Sequence, residues 1–334
     1  MRHTRFFTVT AGLICALALS SCAAANSDEQ GASTEDQPPV VLTSFSVLAD
    51  MTRAVGGDLV DTRSITPPGA EVHEYSPTPG DLRDAAAADV IFFNGLGLEA
   101  WYEQFLSHSS AEVVMLSESV ETLPVTRLPE ASPGSGESDD VEDPGASESA
   151  GAEETAELPV NPHAWMSPAQ AMVYVDNIEA ALSELSPADA EQFTENAGRY
   201  REQIQAVWDQ AEERLAPLQQ DGEIHLVTCE GAFSYLAKDL DLGEHYLWPL
   251  NAEDEGSPKQ VEAQIRYVEE HQVPTIFCES TVNDSTQRQV AETTGATLSE
   301  PLHVDSITEP DGPAPSYLEL LEHDLDLIIE GAQR

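Results

Sequence analysis

Residues 187–215 read PADAEQFTENAGRYREQIQAVWDQAEERL, and within them Phe193, Ala197, Tyr200, Ile204, Val207, Ala211 and Leu215 recur at spacings of three and four. This is the apolar stripe of one long helix, expected over 187–216, with Ser186 as its cap, Pro187 in its first turn and Pro217 as its stop. A single helix of this length can bridge two packed bodies, so the flanking sequence decides the architecture.

Upstream, strand-like runs at 40–47, 59–65, 90–94 and 113–116 alternate with helical stretches through Met51 and at 81–88 and 98–106, and a further helix begins near Pro168. Downstream, strands are expected at 224–229, 246–250, 274–278 and 297–302, with helices at 232–240, 258–271, 285–294 and 317–329. Strands separated by helices point to βαβ units. The expected fold class is therefore α/β: two lobes, residues 40–186 and 217–334, each a parallel-type β-sheet flanked by helices, joined by a single long rigid α-helix. Ligands of such sheets bind beyond the carboxyl ends of the strands, here between the lobes. The stiff connection predicts small lobe shifts.

At the amino end, Arg2 and Arg5 precede the apolar run 6–19, which leads into Leu19-Ser20-Ser21-Cys22. A basic start, a short apolar middle and small residues before a cut make an export signal over 1–21. The Leu-Ser-Ser-Cys stretch resembles a bacterial lipobox, which implies lipidation of Cys22 and attachment to the lipid bilayer at the outer face of the cell membrane. Residues 22–39, polar and ending in Pro38-Pro39, read as a disordered tether. A second disordered stretch is expected at 129–158, which holds ten acids, no Lys or Arg and no His. Cys229 and Cys278 each end a strand-like run just before a Glu; outside the cytoplasm they either form a disulfide or remain buried thiols, and the sequence leaves both open.

The chain of 334 residues carries 61 Asp and Glu against 14 Lys and Arg, a formal charge of −47. Nucleic acid and anionic headgroups would repel such a polyanion, which argues against nucleic-acid binding and polybasic membrane docking. Cations are its natural partners. Without the signal, tether and insertion the body still has 47 acids against 12 bases, so the acidity belongs mainly to the packed lobes.

Four segments put metal-ligand chemistry into loops: Pro67 to Pro79 around His73, Asn161-Pro162-His163-Ala164-Trp165, Thr228-Cys229-Glu230-Gly231, and Leu302-His303-Val304-Asp305-Ser306. Together with Asn94-Gly95-Leu96-Gly97-Leu98-Glu99-Ala100-Trp101, Asn251 to Pro258 and Phe277-Cys278-Glu279-Ser280, they resemble, in order and across nearly the whole mature chain, the cluster A-I solute-binding lipoproteins of bacterial manganese and zinc ABC transporters. The resemblance implies a metal quartet of His73 and His163 from the first lobe with Glu230 and Asp305 from the second. It also implies an integral-membrane permease as partner, and a monomer is expected.

Zinc-type members carry His at the third position, and manganese-type members carry Glu. With Glu230 in place the expected transported ion is Mn(II), with Zn(II) or Fe(II) as alternatives, since oxygen-rich ligation suits a harder ion of higher coordination number. His303 is an alternative ligand, two residues from Asp305. Glu279 is a candidate for hydrogen bonding to a ligating imidazole. Among other classes, a metal-dependent enzyme would need a nucleophile-base pair, and no Gly-x-Ser-x-Gly motif is present. A role in cell adhesion, suggested for some relatives, finds no repeats to support it.

Overall fold

The computed structural model describes residues 37–102, 109–125, 159–250 and 256–334. The export signal, Cys22, most of the tether, the 129–158 insertion and the acidic loop 251–255 therefore lie outside the described residues, as does the second half of the helix expected at 98–106.

In the first lobe the chain runs through β1 (Val40–Thr43), α1 (Ser46–Gly56), β2 (Asp61–Ser64), α2 (Pro79–Ala87), β3 (Val90–Phe93), β4 (Glu112–Met115) and α3 (Pro168–Leu185). The four strands form one parallel sheet in the order β2-β1-β3-β4, with Val41 opposite Val90 and Phe93 opposite Met115. β3, Val-Ile-Phe-Phe, is buried at every position, as expected of an inner strand covered on both faces. β1 is shorter than the expected 40–47, because the chain turns at Ser44 and Phe45 into α1. Thr78 and Asp81 make a reciprocal capping box that starts α2 with Pro79 in its first turn.

The connecting helix α4 spans Ala190–Gln219, not 187–216. Ser186 ends α3 instead of capping α4: its N–H donates to Leu182 O at 2.8 Å. Its hydroxyl donates to Asp189 Oδ2 at 2.6 Å, and Asp189 takes the N-cap position. Pro187 thus lies in the turn between two helices. Pro217 does not stop the helix; near the end of α4 its missing N–H and its ring disturb only the final turn. All seven residues of the apolar stripe are buried.

The second lobe contains β5 (His225–Glu230), α5 (Ser234–Asp239), β6 (Gly243–Trp248), α6 (Pro258–His271), β7 (Thr275–Ile276), α7 (Ser285–Thr294), β8 (Thr297–Leu298) and α8 (Tyr317–Ala332). A capping box of Ser257 and Gln260 with Pro258 at its start fixes the amino end of α6. The expected single sheet is divided into two parallel two-stranded ladders, β5 with β6 and β7 with β8. Between them Phe277 N–H donates to Val227 O at 2.8 Å, and the Cys229–Cys278 disulfide joins the ends of the two middle runs with Cα atoms 4.9 Å apart. Of the two states open to these cysteines, the bridged one is present.

The lobes share one apolar cluster, and each also keeps a smaller one of its own. The shared cluster runs from Val41 and Phe45 through α3 and the α4 stripe to Phe233, Tyr317 and Ile329. Among the described residues no helix is long and apolar enough to cross a membrane.

Candidate metal centre

His73 lies in the loop between β2 and α2, His163 in the loop that leads into α3, Glu230 at the carboxyl end of β5 and Asp305 in the loop between β8 and α8. His73 sits in a turn tied by Glu71, whose carboxylate accepts from His73 N at 2.5 Å and Glu74 N at 2.9 Å. Trp101 Nε1 donates to Val72 O at 2.8 Å, pinning the same turn from the side.

His163 is held more completely. Asn161 Oδ1 accepts from both His163 N–H (3.1 Å) and ring Nδ1–H (3.0 Å), which leaves the lone pair on Nε2 directed into the cleft. Asn161 is in turn fixed across the seam, its Nδ2 donating to Gly231 O at 2.6 Å, while Tyr235 Oη donates to Asn161 O at 2.7 Å. Asn94 Nδ2 donates to Pro162 O at 3.1 Å, and Asn94 Oδ1 accepts from Tyr174 Oη at 2.6 Å. Glu99 folds the Asn94 loop by accepting from Asn94 N and Ser44 Oγ, both at 2.7 Å. Gly95 and Gly97 hold positive φ of 85° and 84°, the conformation this tight loop requires. The Asn94-to-Trp101 segment is thus the brace for both histidine loops.

From the second lobe, Glu230 ends β5. Its backbone N–H donates to the Glu279 carboxylate at 3.2–3.3 Å, and the neighbouring disulfide tethers the same strand end. Glu279 therefore steadies the backbone of Glu230; no hydrogen bond from it to an imidazole is seen among the described residues, unlike the expectation. Asp305 lies between two anchors. Trp165 Nε1 donates to Val304 O at 3.2 Å, and Ser306 Oγ lies 3.0 Å from Ser46 Oγ and accepts from Gly69 N at 2.6 Å.

These loops bring His73, His163, Glu230 and Asp305 together, all buried, with one ligand atom of each within 4.8 Å of the others. The two Nε2 atoms are 3.2 Å apart. Glu230 Oε1 stands 3.6 and 3.8 Å from them, and Asp305 Oδ1 3.9 and 3.6 Å. Edges of this size correspond to a tetrahedron whose centre is about 2.0–2.4 Å from each atom, the range of divalent-metal bonds to nitrogen and oxygen. Two opposed imidazole lone pairs repel unless a cation or a proton lies between them. Asp305 Oδ1, which faces both rings, has no hydrogen-bond partner among the described residues, and neither has His73 Nδ1. A buried acceptor left in this way is costly without a cation.

Electrostatics agree with the geometry. Burial lowers His73 to about 4 and, with the His73 ring beside it, takes His163 well below the ordinary histidine value, so both rings are neutral and able to ligate. Asp305 is raised well above the usual carboxylate range by burial and then by Glu230 and Glu71. Glu279 is raised to about 8, mainly by burial. His163 also packs its ring against Trp165, centroids 5.2 Å apart.

His303 does not join the cluster. Its Nδ1 is 3.0 Å from Ser280 Oγ and its ring pairs with His323 at 5.3 Å. Asn161, Asn94 and Glu99 carry structural duties that the sequence reading did not assign. Their only signal was position: Asn161 two residues before His163 across a proline, and Glu99 five residues after Asn94 in a glycine-rich turn.

Known proteins resemble this chain in sequence and in fold. The family model described as "Zinc-uptake complex component A periplasmic" matches residues 41–331. The iron-binding protein YfeA of Yersinia pestis is 40% identical over 292 residues, covering 87% of this chain and 85% of its own. A manganese ABC transporter substrate-binding lipoprotein, PsaA of Streptococcus anginosus, is 28% identical over 95% of this chain and 96% of its own. Among solved structures, the Mn-bound periplasmic metal binding protein from Candidatus Liberibacter asiaticus superposes with a TM-score of 0.73 at 32% identity, covering 88% of this chain and 99% of that one. The chain belongs to the zinc-uptake complex component A family, the metal-binding substrate-binding receptors of ABC transporters, and is a receptor rather than an enzyme.

Proposed function

We propose that this receptor captures Mn(II) outside the cytoplasm on His73, His163, Glu230 and Asp305, is anchored to the membrane through acylated Cys22, and hands the ion to an ABC permease. The observation that carries the reading is the buried, mutually facing quartet of two neutral imidazoles and two carboxylates. The carboxylates offset the charge of a divalent ion where an isolated one would be costly to desolvate. A second oxygen from either carboxylate raises the coordination number toward that favoured by a harder ion than zinc. The lipoprotein names of the streptococcal relatives support the anchor and the permease.

Fe(II) is the second reading, favoured by the 40% identical relative described as iron-binding. Metal analysis of the protein recovered from cells grown in medium replete in manganese and iron and poor in zinc separates them. Manganese is expected to predominate. Predominant iron establishes the second reading, and zinc alone overturns both. Metal exchange in the test tube is a poorer judge, since by the Irving-Williams order zinc out-competes both ions at such a site.

A further inference from the structure

The last helix carries an acid where its pattern calls for an apolar residue. In α8, Tyr317, Leu320, Leu321, Leu325 and Ile328 form a buried stripe at helical spacing, and Asp324 lies within it, buried like its neighbours. Burial, and then the charge of Glu279, raise Asp324 well above the ordinary carboxylate value, and its Oδ2 has no hydrogen-bond partner among the described residues. An apolar side chain in this place would avoid the cost of burying the acid.

What the carboxyl does instead is hold a loop. Asp324 Oδ1 accepts from His303 N–H at 2.9 Å, two residues before Asp305. Two turns earlier on the same face of α8, about 10 Å along the axis, Tyr317 Oη donates to Trp165 O at 2.5 Å, two residues after His163. Trp165 Nε1 in turn donates to Val304 O at 3.2 Å. These three bonds close a ring that runs through Tyr317, Trp165, Val304, His303 and Asp324 and returns along α8. A histidine of the quartet stands beside it on one side and a carboxylate on the other, one from each lobe.

The helix that completes the ring is itself fixed. Ser316 Oγ accepts from Glu319 N–H at 3.2 Å as its cap, and Tyr317 N–H donates to Asp50 Oδ2 on α1 at 2.8 Å. The start of the Asp305 loop is set separately, by Leu302 N–H donating to Cys278 O at 3.0 Å and Ser280 N–H donating to Leu302 O at 2.8 Å. Past Leu302 this pairing ends. From there to Asp305 the chain is held by Asp324, by Trp165 and by the 3.0 Å contact of His303 Nδ1 with Ser280 Oγ.

On the reading that the quartet captures the ion, we infer that Tyr317 and Asp324 are positioning residues for it: α8 grips the His163 loop at one point and the Asp305 loop two turns later, and so sets the spacing between two ligands that come from different lobes. Neither residue touches the metal. Their effect is on how closely the empty site already matches the bound one, which governs affinity rather than the fold alone.

Calorimetric Mn(II) titration of the full chain against a competing chelator tests this for Tyr317→Phe, Asp324→Ala and Asp324→Asn, with Asp305→Ala alongside. Tyr317→Phe removes one oxygen and Asp324→Ala the acceptor, and each is expected to weaken Mn(II) about tenfold, the lower end of the range for a lost supporting residue. Asp324→Asn keeps the Oδ1 acceptor and is expected to bind as the wild type does, whereas residues that served stability alone would shift the melting temperature of the metal-free chain and leave affinity unchanged. Wild-type affinity in Tyr317→Phe overturns the inference even where Asp324→Ala does not fold, and so does an equal loss in Asp324→Asn and Asp324→Ala. Wild-type affinity in Asp305→Ala removes the quartet reading and the inference with it; a loss there, with none in Tyr317→Phe, removes the inference alone.

Discussion

Asn161 offers the sharpest test of how the site is organised. Replacing it by Ala removes the acceptor that takes both the backbone and the ring Nδ1–H of His163, at 3.1 and 3.0 Å, and the donor to Gly231 O at 2.6 Å. His163 is fully buried, so solvent does not readily take over these bonds. Losing the partner that orients a ligating histidine costs about 10–100-fold in metal affinity, or about 1.4–2.7 kcal/mol. Each buried donor or acceptor left unpaired costs the metal-free fold about 1–3 kcal/mol more. Calorimetric Mn(II) titration in competition with a chelator measures the first quantity, and thermal unfolding of the metal-free chain the second. Asn161→Asp keeps the Oδ1 acceptor but sets a carboxylate oxygen against Gly231 O, so it is expected to lose stability while retaining more affinity than Asn161→Ala. Wild-type affinity in Asn161→Ala, with the stability loss present, would refute the orienting role and leave Asn161 as a brace between lobes.

Truncating either carboxylate of the quartet, Glu230→Ala or Asp305→Ala, is expected to lower Mn(II) affinity by at least about 100-fold, beyond the effect of losing a supporting residue; unchanged affinity in both would sink the assignment. Glu279 makes stability depend on pH. Its value rises from the ordinary carboxylate range to about 8 in the folded chain, so its contribution is complete below about pH 4.5 and is lost as pH climbs through 8. Metal-free Glu279→Gln is expected to lose less melting temperature than wild type between about pH 5 and 8.5, and superimposable profiles would contradict this. Reduction of the Cys229–Cys278 bond, which closes a loop of sequence separation 49, is expected to cost about 4 kcal/mol by the chain-entropy estimate. Denaturant unfolding of Cys229→Ser/Cys278→Ser measures it, and a midpoint equal to that of the oxidised chain would argue against the loop-closure account.

The helix pattern was legible because burial of a stripe is written directly in residue spacing: Phe193 to Leu215 needed no partner to be recognised. The boundaries were less so. Ser186 and Asp189 both have capping chemistry, and the end of α3 at Leu185, a tertiary fact, decides between them. The division of the second sheet was hidden for a similar reason, since apolar runs such as 274–278 do not state how many of their residues pair with a neighbour. The quartet came from a family resemblance and not from spacing, because its members are separated by 67 residues or more along the chain. Its supports, Asn161, Asn94 and Glu99, are ordinary loop residues until the fold places them against a histidine loop.

The contact between Trp165 and His163 has an optical consequence. Trp165 is fully buried, and its ring meets His163 at 5.2 Å and Phe45 at 5.0 Å, without exposure to water. An indole in this place emits at the blue edge of tryptophan fluorescence and lies within quenching range of a paramagnetic ion on Nε2 of the adjacent imidazole. On the proposed quartet, Trp165 emission is expected to report occupancy and to distinguish Mn(II), with its unpaired electrons, from closed-shell Zn(II) without any added dye.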